Sequence, residues 1–583
     1  MTVSNRQIVK RLLSYTGRQK TDFALIMLLA AAGNILSLTA PFFIGKAIDA
    51  IVGTGEVDFA RVAKYALILI PVYVISGLLT YLCAVLASKS AAKTVLQMRT
   101  DAFSNMIRLK LSYLDTHSNG DIQSKITNDC DAVCEGLTQL FTQFFSGIVT
   151  VCAALGFMLW LSPVITLAVI VVTPLIFIVA KTVTKLSGSQ FKKQQAIIGE
   201  LGGYVSEQLS AQKTVKAFAH EQRSAEDFKE INARLYEAGQ KAQFYSSLTN
   251  PSTRFVNYVA YVAVGLVGGI VSVNQGLGAG IIASFIGYTN MFSKPFNEFT
   301  AITTQLLSAT AAAGRIFALI DEEREPADSD GAKELTDIKG EVVFDRVSFS
   351  YLPDKPLITD FSLSVPSGSM VAVVGPTGAG KTTLINLLMR FYEVNSGSIR
   401  IDGKDISSYT KSSLRKGFGM VLQETWLFNR SVRDNIRYGK PDATDEEVIR
   451  AAKTANAHGF IKSLPNGYDT IIKQDASNLS QGQKQLIAIA RITLMSPPML
   501  ILDEATSNVD TLTEQKIQRA FMQMMKGKTS FVIAHRLSTI KESDLIIVMN
   551  NGSVVETGSH KQLLKKGGFY SKLYNLGKIS PNP

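Results

Sequence analysis

Uncharged apolar stretches recur along the first half of the chain. Phe23–Gly45 and Tyr65–Ser88 contain no Asp, Glu, Lys or Arg. Each exceeds the ~20 residues that a helix needs to cross the hydrocarbon core of a bilayer. Buried helices of soluble domains rarely have so long a run without a charge. The pattern therefore predicts two membrane-spanning helices here.

Two longer uncharged stretches each predict a pair of helices. Gly136–Ala180 is interrupted at Ser162-Pro163, and Phe255–Ser293 is interrupted at Asn274-Gln275-Gly276. At about 1.5 Å per residue, each stretch is long enough for two spanning helices that are joined by a tight turn. The chain is thus predicted to cross the membrane six times.

Basic side chains are distributed unequally among the segments between these spans. The long segments Lys89–Glu135 and Lys181–Arg254 are rich in Lys and Arg, whereas the predicted turns at 162–163 and 274–280 have none. The positive-inside tendency then predicts that both long loops and both termini are cytoplasmic, with helices continuing beyond the bilayer. The first apolar run is too long for a signal peptide, and the basic segment Ser4–Asp22 is predicted to lie at the membrane interface.

The pattern changes after the sixth span. The acidic stretch Asp321–Pro326 predicts an exposed connection, and from Gly340 onward short β-branched runs alternate with helical stretches. That alternation is typical of an α/β domain. The predicted organisation is a transmembrane domain over 1–320, a linker over 321–339 and an α/β domain over 340–583.

Composition and charge narrow the class of protein. Of the 583 residues, 46% are hydrophobic and 19% are charged, which excludes a disordered protein. The four cysteines are too few for a disulfide framework. The net charge of +12 suits nucleic acid, an anionic ligand or a membrane surface. Because basic residues concentrate in the predicted cytoplasmic loops, membrane lipids explain them and no nucleic-acid partner is expected.

The α/β domain contains a glycine-rich phosphate-binding pattern, G-x-x-x-x-G-K-T, between an apolar run and a helical one. Glycines allow backbone N–H groups to surround a phosphate at a helix N-terminus. In such a loop Lys381 contacts the β- and γ-phosphates, and the Thr382 hydroxyl is a ligand of Mg²⁺. The residues predicted to bind nucleotide here are Gly375, Pro376, Thr377, Gly378, Ala379, Gly380, Lys381, Thr382 and Thr383.

Two acidic residues, Asp503 and Glu504, end the apolar run Met499–Leu502 in the same domain. A hydrolytic site needs an acid that holds the metal and a group that activates water. Asp503 is predicted to hold Mg²⁺ through water, and Glu504 is predicted to be the general base. The alternative, an acidic pair that merely ends a strand, is disfavoured by the phosphate loop upstream.

Together these motifs resemble those of the ATP-binding cassette (ABC) transporters, and the resemblance covers essentially the whole chain. Leu479-Ser480-Gln481-Gly482-Gln483 resembles the signature sequence of that family. The resemblance implies that two nucleotide domains pair head to tail. Ser480, Gly482 and Gln483 of one domain would then close on the ATP that the other holds.

Four more residues match positions that the family uses at the nucleotide. Tyr351 lies where the family stacks an aromatic ring on adenine, with a core aromatic as the open alternative. Gln423 resembles the glutamine that contacts Mg²⁺ and water, and His535 resembles the histidine that contacts the γ-phosphate. Asp510 matches the loop that crosses the dimer interface.

Six spans fused ahead of the cassette resemble an exporter half-transporter, since importers usually carry their membrane subunits on separate chains. The implied fold is a six-helix all-α transmembrane domain of the type IV (type I exporter) class, followed by an α/β P-loop nucleotide-binding domain. Short coupling helices are implied near Ser112–Gly120 and near Ser210–Ala219, with solvated helix turns as the alternative. The expected location is a bacterial plasma membrane.

The signature departs from the family pattern at Gln481, where most members have glycine. A side chain there occupies a position at which backbone approaches phosphate. Because Lys381 and Glu504 are intact, the chain resembles the glutamate-bearing subunit of a heterodimeric exporter, whose partner has a degenerate catalytic glutamate. A homodimer is the alternative. The preceding stretch Lys473–Asn478 also departs, because it lacks the glutamate and glycine of many relatives.

The resemblance implies export by alternating access, with ATP and Mg²⁺ as cofactors. Aromatic residues in the spans favour a small apolar or amphipathic, drug-like substrate, and each has packing or lipid contact as its alternative. These residues are Phe141, Phe144, Phe145, Phe157, Trp160, Tyr258, Tyr261, Phe285, Tyr288 and Phe292. Other functions left open are a homodimeric lipid flippase or peptide exporter, an ATP-gated channel and a regulatory membrane ATPase.

Overall fold

The computed structural model describes residues 4–16, 20–51, 57–276, 278–422, 425–503, 510–533 and 537–575. The chain divides into two compact units. The first unit consists of Met1–Leu109 with Thr116–Arg324, and the second consists of Lys110–Asp115 with Glu325–Pro583. The second unit therefore includes a short segment that lies, in sequence, within the helical half of the chain.

The first unit is built of helices, several of which are much longer than a bilayer requires. The helices of the N-terminal half are α1 (Asn5–Thr16), α2 (Lys20–Leu38), α3 (Ala40–Asp49), α4 (Phe59–Met106), α5 (Leu111–Thr116), α6 (Asn119–Ile126), α7 (Asn128–Gln139), α8 (Phe145–Leu161), α9 (Pro163–Ser210), α10 (Gln212–Ala217), α11 (Glu221–Ser247), α12 (Thr249–Gln275) and α13 (Ala279–Asp321). A π-helical turn, Leu140–Phe144, joins α7 to α8.

Apolar helices occur where the charge gaps predicted them. Among the described residues, four helical stretches are long and apolar enough to cross a membrane: Thr21–Asp49, Phe59–Met106, Asn119–Leu161 and Glu221–Gln275. The first turns of α9, Pro163–Leu175, form a shorter apolar helix. The remaining uncharged sequence lies at the start of α13, which contains 43 residues.

Both predicted helix breaks are confirmed. Ser162 separates α8 from α9, and Pro163 occupies the first turn of α9, where its missing N–H costs no hydrogen bond. Gly276 ends α12 with φ +64°, a left-handed conformation that suits glycine. The helices also extend beyond a bilayer: α4 and α9 contain 48 residues each. That is about 72 Å of helix, against roughly 30 Å of hydrocarbon core.

Several of the aromatic side chains singled out in the spans are packing residues. Phe285 and Tyr288 are fully buried in a cluster formed with residues of α2, α8, α9 and α12. The Phe157 ring stacks on Tyr288 with centroids 5.7 Å apart. Trp160 and Tyr258, in contrast, are exposed on this chain. For the buried rings, helix packing is therefore the interpretation that the structure supports.

The described part of the second unit contains two sheets. Its strands are β1 (Val342–Phe349), β2 (Ile358–Val365), β3 (Met370–Val374), β4 (Ser396–Ile401), β5 (Lys404–Asp405), β6 (Phe418–Val421), β7 (Met499–Asp503), β8 (Thr529–Ile533), β9 (Leu545–Asn550) and β10 (Ser553–Gly558). The order β2-β1-β4-β5 forms an antiparallel sheet, and β10-β9-β3-β8-β7-β6 forms the larger one. In the larger sheet all neighbours are parallel except β10 with β9.

Helices follow these strands along the chain. They are α14 (Lys381–Leu388), α15 (Lys411–Lys416), α16 (Val432–Arg437), α17 (Asp445–Thr454), α18 (His458–Ser463), α19 (Gln481–Met495), α20 (Thr511–Met525), α21 (Leu537–Glu542), α22 (His560–Lys566) and α23 (Phe569–Asn575). Within the described ranges, 3₁₀ turns lie at Ile406–Ser408, Gly467–Asp469 and Gln474–Ala476.

The larger sheet is buried on both faces, as expected for parallel strands. Alternate residues of β3 enter two different apolar clusters: Ala372 and Val374 join one, and Val371 and Val373 join the other. Because successive side chains of a strand point to opposite faces, the two clusters lie on opposite sides of the sheet. The carboxyl ends of β3 and β7 meet at one edge, where open α/β sheets usually bind ligands.

Candidate functional site

The loop between β3 and α14 has a backbone that requires glycine. Gly378 and Gly380 have φ of +82° and +94°, a region that L side chains rarely adopt. At Gly375, a Cβ atom would lie 2.2 Å from the Met549 carbonyl oxygen. The loop is thus closely packed at its start, and its backbone has a left-handed conformation at two later positions. It leads directly into the N-terminus of α14, where backbone N–H groups without a helical partner favour binding of an anion.

Lys381, the first residue of α14, lies against this loop. Its Nζ donates hydrogen bonds to the carbonyl oxygens of Gly375 (2.7 Å) and Pro376 (2.9 Å). Burial lowers the pKa of Lys381, and the nearby charge of Asp503 partly opposes that shift. A half-buried ammonium group that is held by two neutral carbonyls fits a site for an anionic ligand.

The two threonines after Lys381 face different surroundings. Thr382 is exposed, so its hydroxyl is accessible to a metal ion, whereas Thr383 is buried. Thr383 Oγ1 accepts a hydrogen bond of 3.2 Å from the hydroxyl of Tyr351. Tyr351 is 46% exposed. Tyr351 is therefore hydrogen-bonded to α14 and remains accessible to a ligand. This arrangement favours a ligand contact over the alternative of a core aromatic residue.

The acidic end of β7 is described only in part. Asp503 pairs in the sheet with Ile533 and is half-buried, close enough to Lys381 for its charge to act on the ammonium group. Gln423, Glu504 and His535 lie outside the described residues. Their roles stay predictions from the sequence.

The signature segment begins a helix with a reciprocal cap. The Ser480 hydroxyl oxygen accepts from the Gln483 backbone N–H (3.3 Å), and the Gln483 side-chain oxygen accepts from the Ser480 N–H (2.9 Å). This capping box starts α19. Gly482 is buried in the first turn, and Gln481 is partly exposed. Because the cap uses only a lone pair of Ser480, the O–H group keeps its capacity to donate.

Asp510 also caps a helix. Its Oδ1 accepts a hydrogen bond of 2.9 Å from the Thr513 backbone N–H at the start of α20. That contact lowers the pKa of Asp510. The structure thus gives this residue a local structural role that the sequence prediction, contact across a dimer interface, had not included.

Short helices exist near both predicted coupling positions. α5 contains six residues, and Lys110–Asp115 belongs to the second unit. α10 also contains six residues and belongs to the first unit. Two exposed apolar side chains, Leu209 and Phe218, flank α10.

Two residues at the site were missed by the sequence reasoning. Tyr392, in the turn after α14, packs edge-to-face against Tyr351 with ring centroids 5.0 Å apart. Its hydroxyl donates a 2.5 Å hydrogen bond to Asp115, 277 positions away in sequence. No local pattern marks this pair, since it depends on how the chain returns to the sheet.

Comparison with known proteins gives matches across both halves of the chain. Residues 23–296 match the family model described as the ABC transporter transmembrane region, and residues 358–507 match the family model described as ABC transporter. These matches confirm the predicted fold class. A solved structure, a bacterial Atm1-family ABC exporter with ATP bound, aligns with a TM-score of 0.77 at 29% identity and covers 96% of this chain and 99% of its own.

Three similar proteins differ in whether their names give a substrate, and in which substrate they give. The uncharacterized ABC transporter ATP-binding protein YfiC of Bacillus subtilis is 40% identical and covers 97% of this chain and 93% of its own length. A fatty acid ABC transporter ATP-binding/permease protein of Mycobacterium tuberculosis is 41% identical, with 89% and 82% covered. An ATP-dependent lipid A-core flippase of Syntrophus aciditrophicus is 34% identical, with 98% and 94% covered.

Proposed function

Because this chain belongs to the ABC transporter family, we propose that it exports a small apolar or amphipathic substrate as one half of a dimeric transporter. As an ABC exporter it couples ATP hydrolysis to transport. We assign the transmembrane domain to 1–320, the linker to 321–339 and the nucleotide-binding domain to 340–583. The protein is a multi-pass membrane protein; we place it in a bacterial plasma membrane with both termini in the cytoplasm, because its long basic loops favour that orientation.

The main support for ATP hydrolysis at this site is the phosphate loop, against which the Lys381 side chain packs. We propose that the ammonium group leaves the carbonyls of Gly375 and Pro376 to contact the β- and γ-phosphates. It then neutralises charge that develops on the phosphoryl oxygens. The backbone N–H groups around Gly378 and Gly380 surround the phosphates at the N-terminus of α14.

ATP usually binds to this domain together with Mg²⁺, and the oxygen atoms available near the phosphate loop suit that ion. An exposed hydroxyl on Thr382 and a carboxylate on Asp503 are oxygen ligands of the kind that Mg²⁺ prefers. We propose that both hold the ion, Asp503 through a water, with Gln423 as a further ligand. A bound Mg²⁺ supplies positive charge that polarises the phosphoryl oxygens.

We propose that Glu504 accepts a proton from the attacking water, and that His535 contacts the γ-phosphate as the reaction proceeds. Closure of the site then depends on a second subunit. The capping box leaves the Ser480 O–H free to donate to the γ-phosphate of an ATP held by the partner, at a helix N-terminus that favours the anion. ATP thus favours the paired state, and hydrolysis releases it.

A serine pair of matched geometry tests the role of Ser480. Ser559 caps α22 with the same box, its partner being Gln562. Ser480→Ala and Ser559→Ala are each expected to cost about 1 kcal/mol of stability through loss of the cap. Only Ser480→Ala is expected to weaken ATP binding at the site that this signature closes on the partner, by roughly 10- to 100-fold in affinity, the worth of one hydrogen bond to a charged group. Thermal melting and binding of a labelled ATP analogue to the assembled dimer in nanodiscs separate the two effects.

If both alanine variants lose the same modest fraction of ATP affinity, Ser480 is only a cap. If ATP affinity falls for Ser480→Ala while its melting temperature matches that of Ser559→Ala, the contact with the phosphate accounts for the loss.

We propose that the second subunit is a different chain. Gln481 occupies the first helical position of α19 and adds a side chain beside Ser480. A site closed by this signature is expected to hydrolyse ATP poorly, while the site on Lys381 and Glu504 stays competent when a normal signature closes it. Tagged chain from its own host is therefore expected to bring down a second ABC subunit, and to hydrolyse ATP in nanodiscs only with that subunit. Robust turnover by the single chain, abolished by Glu504→Gln, would instead establish a homodimer.

The substrate class rests on two kinds of support. The uncharged spans with exposed aromatic side chains favour an apolar or amphipathic molecule, and drug-like compounds are our first candidate. Lipids are the second candidate, because relatives covering most of this chain are named for fatty acid transport and for lipid A-core flipping. Uptake of fluorescent dyes and of labelled fatty acid into inside-out vesicles compares the two classes directly.

A further inference from the structure

An apolar groove lies on the helical unit beside the first turns of α4. It has a volume of about 710 Å³ and is lined by nine described residues, eight of which are apolar. Leu36 belongs to α2, and the other lining residues belong to α4, between Ala60 and Ile75. Their three- and four-residue spacing places them on one face of the helix. The groove therefore follows α4 over about 22 Å, and its volume is in the range of small-molecule sites.

Close contact between α2 and α4 ends the groove on the side that lies deeper in the uncharged span. Gly33 of α2 is so near α4 that a Cβ atom on it would lie 3.2 Å from Thr80 Oγ1. Thr80 follows Ile75, the last lining residue, by little more than one helical turn. At the other end Ala60 and Ala63 have short side chains that leave space beside α4. The groove is thus open at the start of α4 and closed at its apolar end.

The charged lining residue is Lys64, near the open end. It is exposed, and it directly precedes the uncharged run Tyr65–Ser88, so it lies at the boundary of the hydrocarbon core. The nearest acidic residue along the chain, Asp58, is engaged elsewhere. Its carboxylate pairs with the Arg61 guanidinium over 3.0 Å and accepts a hydrogen bond from the Arg61 backbone N–H over 3.0 Å. The positive charge at the mouth of the groove therefore suits an anion from outside the chain.

The groove matches one leaflet of a bilayer in length. Eleven positions separate Lys64 from Ile75, which is about 16 Å of helix. Half of a hydrocarbon core is about 15 Å. An acyl chain that lies along the groove, with its anionic headgroup at Lys64, would therefore stand at the same depth as the neighbouring lipids.

We propose that this groove binds one acyl chain of an anionic phospholipid, whose phosphate contacts Lys64. The match in depth favours a lipid of the bilayer over a molecule that enters from water, and the single lysine favours a single anionic headgroup. With both termini in the cytoplasm, as proposed above, the start of α4 faces outward and the lipid belongs to the outer leaflet. The binding site itself is independent of the exported substrate.

Photo-crosslinking of the assembled transporter in phosphatidylcholine nanodiscs tests the proposal. Two probes with the same diazirine-bearing acyl chain are compared at equal mole fraction, one phosphatidylglycerol and one phosphatidylcholine. Mass spectrometry of the digested protein locates the cross-links. Phosphatidylglycerol is expected to label the segment Leu67–Ile75 about 5-fold more than phosphatidylcholine does, which is the factor that one lysine contributes near an anionic lipid.

Lys64→Gln removes the charge and keeps a side chain of similar length. It is expected to make the two probes label Leu67–Ile75 equally. Lys46→Gln is the matched control, because Lys46 directly follows the first uncharged run and is also exposed. Its Nζ lies 5.8 Å from the centroid of the Phe42 ring, and it does not line the groove. This control is expected to keep the 5-fold preference.

Ala63→Phe places a ring in the groove and is expected to abolish labelling of Leu67–Ile75 by both probes. Ala66→Phe adds the same ring to α4 at a position that does not line the groove, and it is expected to label as the wild type does. Both alanines are exposed, so neither substitution disturbs a packed interior.

Equal labelling of the wild type by both probes, or a preference that survives Lys64→Gln, would overturn the proposal. Displacement of the probe by oleic acid more effectively than by phosphatidylglycerol would assign the groove to a free fatty acid instead. Labelling that occurs in the isolated chain and is absent from the assembled transporter would assign it to the second subunit. Because both leaflets of a nanodisc have the same composition and ATP turnover is not measured, failure of the proposed orientation or of export would leave these results unchanged.

Discussion

Glu504→Gln is expected to reduce ATP turnover by about 10³-fold, within the range that general-base catalysis contributes. The amide cannot accept the proton of the attacking water, while its shape and hydrogen-bonding capacity leave nucleotide binding intact. The variant is therefore expected to trap ATP in the closed dimer. Turnover of radiolabelled ATP and the nucleotide retained after rapid gel filtration measure the two effects.

Glu542→Gln is a matched control for this substitution. Glu542 is an exposed residue at the end of α21, and its replacement makes the same change in charge. It is expected to leave turnover unchanged. If Glu504→Gln also turned over ATP at the wild-type rate, the assignment of Glu504 as general base would be wrong.

Lys381→Ala is expected to lower kcat/KM for ATP by more than about 10²-fold, because it removes a positive charge that stabilises the phosphoryl oxygens. In contrast to Glu504→Gln, the loss includes affinity, since the ammonium group contacts the phosphates in the ground state as well. Binding of a fluorescent ATP analogue and steady-state kinetics, each in nanodiscs, measure these quantities.

Lys528→Ala controls for loss of a partly buried lysine. Burial lowers the pKa of Lys528 as it does that of Lys381, but Lys528 lies in the turn before β8. It is expected to bind and hydrolyse ATP as the wild type does. Equal losses in the two lysine variants would show that the effect comes from destabilised folding and not from a phosphate contact.

The elements of the fold were largely predictable from local sequence. Uncharged runs located the spans, and Pro163 and Gly276 marked the breaks, because proline and glycine act through the backbone at their own positions. The phosphate loop was predictable for the same reason: strand, glycines, lysine and helix follow one another in sequence. The capping box at Ser480 was also visible as Ser-x-x-Gln, although the sequence reasoning used only its resemblance to a signature.

What local sequence does not encode is which distant residues meet. Tyr392 and Asp115 are joined across 277 positions, and the assignment of Lys110–Asp115 to the second unit follows from tertiary packing alone. The aromatic residues of the spans illustrate a second gap. Phe285, which is buried between helices, and Trp160, which is exposed, have the same apolar sequence context, since lipid contact and helix packing select the same residues.

Flux through the assembled transporter is the most direct measurement of ATP-driven export. Inside-out vesicles containing the chain with its co-purified partner are given an amphipathic fluorescent substrate and either MgATP or Mg-AMP-PNP. Accumulation is expected with MgATP only, and it is expected to disappear with Glu504→Gln and to persist with Glu542→Gln. Hydrolysis of MgATP at the wild-type rate with no accumulation of drug-like or lipid substrates, together with an ATP-dependent conductance, would contradict export and indicate a channel.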